Sequence, residues 1–117
     1  MSGLNAITFH TADMARSCAF WQAAGFDYAY GGTDSTFTSL KAGSGTFVNL
    51  QAVDGYEPAG GWGRIIIHVG NPDDTHAALV AAGYAPHAPA ADAPWGERYF
   101  HITDPDGNEI SFARPLS

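Results

Sequence analysis

The sequence predicts an α+β fold: two tandem βαβββ modules whose curled sheets form an open cup or barrel. Three observations carry this. Ile7, His10, Ala23, Ala24, Gly25 and Phe26 return as Ile65, His68, Ala81, Ala82, Gly83 and Tyr84, at a constant step of 58 residues (10 to 68, 25 to 83). A fixed step that runs through a strand, a helix and its stop signal marks a duplicated unit. Each copy also carries its own helix start and stop. Finally, Glu97 to Pro115 (ERYFHITDPDGNEISFARP) reads as a hairpin, in which Asp104-Pro105-Asp106-Gly107-Asn108 supplies the residue types of a tight turn.

The elements follow in order. Leu4 to His10 alternates and is rich in β-formers, so it reads as a first strand. Asp13 is a good N-cap for a helix over Met14 to Ala24, which Gly25 stops; Met14, Cys18, Phe20 and Trp21 are its candidate core contacts. Phe26–Tyr30, Thr36–Lys41 and Thr46–Val53 read as three further strands, separated by glycine-rich turns. Module 1 thus spans about residues 4–53, and Asp54 to Trp62 reads as a linker. Module 2, about 63–114, restarts with a strand over Arg64–Val69. A helix over Asp73–Ala82 follows, entered through Asn71-Pro72 and closed by Gly83. Tyr84–His87 is expected as a strand and Ala88–Trp95 as a loop before the closing hairpin.

Side chains alternate along a strand, so each strand has two faces. Ile7, Phe9, Val48, Leu50, Ile65, Ile67, Phe100, Ile102, Ile110 and Phe112 make the face that a helix would cover. The opposite face collects mostly polar and titratable groups, among them Thr8, His10, Asn49, Arg64, His68, Tyr99, His101, Glu109 and Ser111, with Ala6 and Phe47 beside them. It has the character of a pocket wall.

A chain of 117 residues with 45% hydrophobic and 15% charged residues makes one globular domain. Its net charge of −7 makes nucleic acid and anionic membranes poor partners. Cys18 is the only cysteine, which excludes an intrachain disulfide and a cysteine-based zinc site. With no signal peptide or long apolar span, a cytoplasmic location is expected.

Two βαβββ modules in this length, with the LNAITFHTADMARSCAFW opening, the RIIIHVGN restart and the RYFHITDPDGNEISF close, resemble the vicinal oxygen chelate superfamily. That superfamily holds glyoxalases, extradiol dioxygenases and bleomycin-resistance proteins. The resemblance covers essentially the whole chain and implies the glyoxalase/bleomycin-resistance fold, with homodimers common. In metal-dependent branches a divalent ion sits on the concave face, held by His or Glu in the first, fifth and last strands. The matching positions here are Ala6, Arg64 and Ser111, with Asn49 near an additional fourth-strand position. Alanine has no donor atom, arginine stays cationic and serine is a weak ligand. No metal ligand and no cofactor is therefore expected at the family's site. A displaced set, His10, His68, His101 and Glu109, has suitable chemistry for zinc or iron. His10 and His68, however, stand roughly 13 Å along their strands from the lost positions.

The resemblance is greatest to the metal-free bleomycin-resistance type. It implies a protein that binds and sequesters a small aromatic, antibiotic-like molecule. Phe47, Trp62 and Trp95 would stack on it, and Asn49, Arg64, His68, Tyr99, His101, Glu109 and Ser111 would line the site. The net charge points to a cationic ligand and Arg64 to an anionic group. The competing readings are two. One is a glyoxalase-like lyase, isomerase or dioxygenase, with a non-standard metal or with His101 or Glu109 as general base and Arg64 as oxyanion partner. The other is a degenerate module without a ligand site.

Overall fold

The computed structural model describes residues 3–58 and 60–117. They form two compact units, Met1–Glu57 and Pro58–Ser117. The chain runs β1 (Ala6–Thr11), α1 (Met14–Ala23), β2 (Tyr28–Tyr30), β3 (Phe37–Lys41), β4 (Phe47–Ala52), β5 (Arg64–His68), α2 (Pro72–Ala81), β6 (Ala91–Ala93), β7 (Glu97–Thr103) and β8 (Glu109–Pro115). Each unit is a four-stranded sheet with one helix. The strand orders are β1-β4-β3-β2 and β5-β8-β7-β6, and in each the first strand runs parallel to its neighbour. This is the βαβββ pattern, twice. Neither sheet closes on itself.

The helix ends follow from local chemistry. Asp13 Oδ1 accepts the Arg16 N–H at 3.0 Å, and Asn71 Oδ1 accepts the Asp73 N–H at 3.0 Å, satisfying donors that a helix leaves free. At the other ends Phe26 N–H reaches Trp21 O and Tyr84 N–H reaches Leu79 O, each at 3.0 Å. Gly25 (φ 93°) and Gly83 (φ 97°) take the left-handed conformation that these closing turns require.

In the first unit α1 buries Met14, Ser17, Cys18, Phe20 and Trp21. Trp21 stacks on Phe9 at 6.1 Å and meets Phe20 and Phe26 edge-on at 5.3 and 5.0 Å. Burying each such ring contributes about 1.5–3 kcal/mol. Beneath them lie Thr38, Leu40, Val48 and Leu50, none more than 1% exposed. In the second unit the sheet is just as apolar, with Phe100, Ile102, Ile110 and Phe112 sealed. The helix above it is not: α2 buries only Pro72 and Leu79. Its docking is completed by polar contacts. Arg98 forks onto Asp73 (2.7 and 2.9 Å) and reaches Asp92 (2.8 Å), tying α2, β7 and β6 together. His76 lies edge-on against Phe100 at 5.0 Å, half-buried rather than on the open surface.

One strand lies elsewhere than expected. Tyr84–His87 is irregular, and β6 forms at Ala91–Ala93, inside the stretch expected as loop. Pro86 and Pro89 lack amide hydrogens and interrupt any ladder there. Ala91, Asp92 and Ala93, lying between Pro89 and Pro94, keep theirs and pair with Tyr99, Arg98 and Glu97. Likewise β2 starts at Tyr28 rather than Phe26, whose amide is already committed to closing α1.

The closing turn is organised by Asp104, only 4% exposed. Its carboxylate accepts from the Asp106 N–H (3.0 Å), the Asn108 N–H (2.8 Å) and Asn108 Nδ2 (2.9 Å). Burial pushes the Asp104 pKa up, against the lowering effect of these hydrogen bonds.

Candidate functional site

The helix-free face of the second sheet is built in rows fixed by the strand register. Arg64, Glu109 and Thr103 form one row; Ile66, Ser111 and His101 the next; His68, Ala113, Tyr99 and Ala91 the third. Glu97, paired with Pro115 and Ala93, ends the series. Side chains directly opposite lie about 4.5–5.5 Å apart at Cβ. The floor is tight, with Ser111 2% exposed and Ala113 fully buried. Ser111 is therefore part of the floor. Ile66 and Trp95 on this face are open to solvent, 58% and 70% exposed.

Trp95 is held in place despite that exposure. Its indole N–H donates to Glu97 Oε1 at 3.1 Å, and its ring lies 5.7 Å from Tyr99 at a 33° tilt. Tyr99 in turn lies 4.9 Å from the His101 ring, giving a continuous aromatic strip. Glu97 Oε2 is 3.4 Å from His68 Nε2, so one carboxylate braces both residues. Glu97 was not singled out in the sequence; its signal is the alternation that puts residues 97, 99, 101 and 103 on one face.

Arg64 lies 3.6 Å from Glu109 Oε2, the carboxylate directly opposite it, with both side chains open to solvent. Such a pair is weak and exchangeable. His101 is half-buried, and its Nδ1 is sealed from solvent with no hydrogen-bond partner among the described residues. Burial, then the positive charge of Arg64 and the nearby His87, hold the His101 pKa below the ordinary histidine value, against the opposing pull of Glu109. His87 bonds the Thr103 hydroxyl at 2.8 Å.

The other expected residues belong to other elements. Trp62 is half-exposed, and its indole N–H bonds Asn108 Oδ1 at 3.2 Å, bracing the closing turn. Phe47 and Asn49 lie on the helix-free face of the first sheet, where Asn49 Nδ2 donates to Thr8 Oγ1 at 3.3 Å. His10 belongs to that face too, with its ring edge-on to Tyr56 at 5.6 Å.

The sequence model of the Glyoxalase/Bleomycin resistance protein/Dioxygenase superfamily matches residues 3–112. The chain belongs to that superfamily. Solved structures share its fold. A bleomycin resistance determinant encoded on the transposon Tn5 superposes with a TM-score of 0.77 at 17% identity, covering 99% of this chain and 100% of that one. A bleomycin-binding protein complexed with bleomycin gives 0.72 at 17%, covering 97% and 98%. A superfamily member from Sphaerobacter thermophilus DSM 20745 gives 0.73 at 24%, covering 97% of each chain. No curated protein matches the chain in sequence.

The positions that the resemblance matches to metal ligands of the metal-dependent branches carry poor donors. Ala6 has no donor, Arg64 carries a positive charge beside Glu109, and Ser111 is sealed in the floor. Within either unit, the described residues hold no group of three or more His, Cys, Asp or Glu side chains placed to bind a metal.

Proposed function

We propose that this superfamily member is a metal-independent binding protein that sequesters a small aromatic, antibiotic-like molecule on the helix-free face of its second sheet. The observation that carries this is Trp95: a ring 70% exposed yet fixed by Glu97 and backed by Tyr99. An indole held open in this way offers a flat stacking surface at low entropic cost on binding. Beside it stand the polar anchors Arg64, His68, His101 and Glu109. Bleomycin is named for two structures of the same fold, which supports a small-molecule ligand; homodimerisation is part of this reading.

The test is titration of the purified protein with planar aromatic drugs, bleomycin among them, followed by tryptophan fluorescence. Zn, Fe, Mn and Ni are assayed in the same preparation, and the mass in solution is measured. Quenching that weakens in Trp95→Ala supports the proposal. Stoichiometric metal that disappears in His68→Ala would overturn its metal independence.

Arg64, Glu109 and His101 at one end of the face favour a second reading, an enzyme using His101 or Glu109 as general base with Arg64 opposite the developing oxyanion. Recovery of a chemically altered ligand, abolished by His101→Leu, would establish it in place of sequestration.

A further inference from the structure

The two nitrogens of His101 are not equivalent. Nδ1 is sealed and unpartnered among the described residues, and Nε2 is not among the atoms so sealed. A buried N–H without an acceptor is among the rarest arrangements in folded proteins. Putting the single proton of the neutral ring on Nε2 avoids it. Putting protons on both nitrogens would bury an unpaired, charged N–H beside the positive charge of Arg64.

Toward the face, then, His101 offers a neutral N–H donor. Arg64, one row over and across β8 from His101, adds a second donor, its long side chain only loosely engaged by Glu109 at 3.6 Å. A loosely held guanidinium with a neutral N–H nearby suits an oxygen anion, which takes charge-assisted hydrogen bonds from both. The aromatic strip of Trp95 and Tyr99 continues from His101 in the other direction.

We propose that His101, as its Nε2–H tautomer, and Arg64 together form an anion subsite, so that the ligand class is an aromatic carboxylate or similar aromatic oxyanion. This rests on the reading of the second sheet's face as the ligand site. It decides the ligand's charge in favour of Arg64 and against the chain's overall charge of −7. That overall charge opposes an anion at long range, so added salt should quicken association.

The experiment compares three probes of one shape with the whole protein: 2-naphthoate, its neutral amide, and the cationic 2-naphthylmethylamine. Affinities are read by tryptophan quenching and calorimetry, and the His101 ring nitrogens by long-range ¹⁵N–¹H correlation. The expected result is naphthoate tightest, by about tenfold to a hundredfold, the worth of a charge-assisted hydrogen bond. Nδ1 should show the signature of an unprotonated nitrogen. Arg64→Gln should weaken naphthoate far more than the amide and so remove most of the preference. His101→Gln, which keeps a donor near the Nε2 position, should retain more of the preference than His101→Leu. Amide or amine bound as tightly as naphthoate, or a proton found on Nδ1, overturns the anion subsite alone. No binding of any probe overturns the face as a ligand site as well. The tautomer and the probe ranking are read on the unaltered protein, so both hold if a variant fails to fold.

Discussion

Trp95 donates its indole N–H to Glu97 over 3.1 Å, although its ring is the most exposed aromatic surface on the second sheet. A hydrogen bond at the rim contributes little to folding because water competes for both partners. Its effect is on where the ring stands. Glu97 also faces His68, so it sets the position of the whole end of the strip.

Glu97→Leu should therefore cost only about 1 kcal/mol, the worth of one hydrogen bond to a part-buried carboxylate. It should nonetheless loosen the indole. In a Trp62→Phe background, fluorescence anisotropy decay would show added fast motion, the remaining Trp21 being buried and rigid. Aromatic probes should bind several-fold more weakly than to the parent, and Trp95→Ala should lose about tenfold, the upper worth of an aromatic pair. Unchanged anisotropy in Glu97→Leu would show that the hydrogen bond does not hold the ring.

Asp104→Ala should be far more costly. It strips the acceptor from the Asp106 and Asn108 amides in a buried turn. Unsatisfied buried donors cost about 1–3 kcal/mol each, less wherever water enters. We expect a loss of about 2–4 kcal/mol in urea unfolding. Because Asn108 also accepts the Trp62 indole, the Trp62 emission should shift as the turn loosens.

His101 should make stability fall on mild acidification. Its folded pKa lies below the ordinary value, chiefly through burial and then through Arg64 and His87. The stability held by the neutral ring is present above about pH 6.5 and is lost as pH falls through the depressed folded value. His101→Gln should flatten that part of the pH profile. A urea midpoint measured from about pH 7.5 down to about pH 5 in both proteins checks it. NMR titration of the His101 ring should give a midpoint below that of an exposed histidine.

Much of the fold is legible in the chain because its signals are local. Asp13 and Asn71 cap, Gly25 and Gly83 stop, and Phe100, Ile102, Ile110 and Phe112 alternate; none of these needs knowledge of a distant residue. The constant 58-residue step then says that the pattern is used twice. The exception is β6. A three-residue strand of alanines and an aspartate has no hydrophobic signature, and only the proline spacing around it hints where a ladder can form. The thin apolar face of α2 is visible in its composition, but the Arg98 fork onto Asp73 and Asp92 that supplements it joins residues far apart in the chain.

The candidate site divides the same way. By itself the sequence determined which residues share a strand face and that the chain is a doubled βαβββ protein, because alternation and repetition are properties of the order of residues. Only the tertiary structure decided that Ser111 is floor rather than wall, that Trp62 braces a turn while Trp95 stands open, and that Glu97 joins Trp95 to His68. It also decided that the His101 Nδ1 is sealed without a partner among the described residues. The reason is physical. Burial, hydrogen-bond partners and proton position depend on what comes within a few ångströms across strands, and strand register brings together residues that the chain keeps dozens of positions apart.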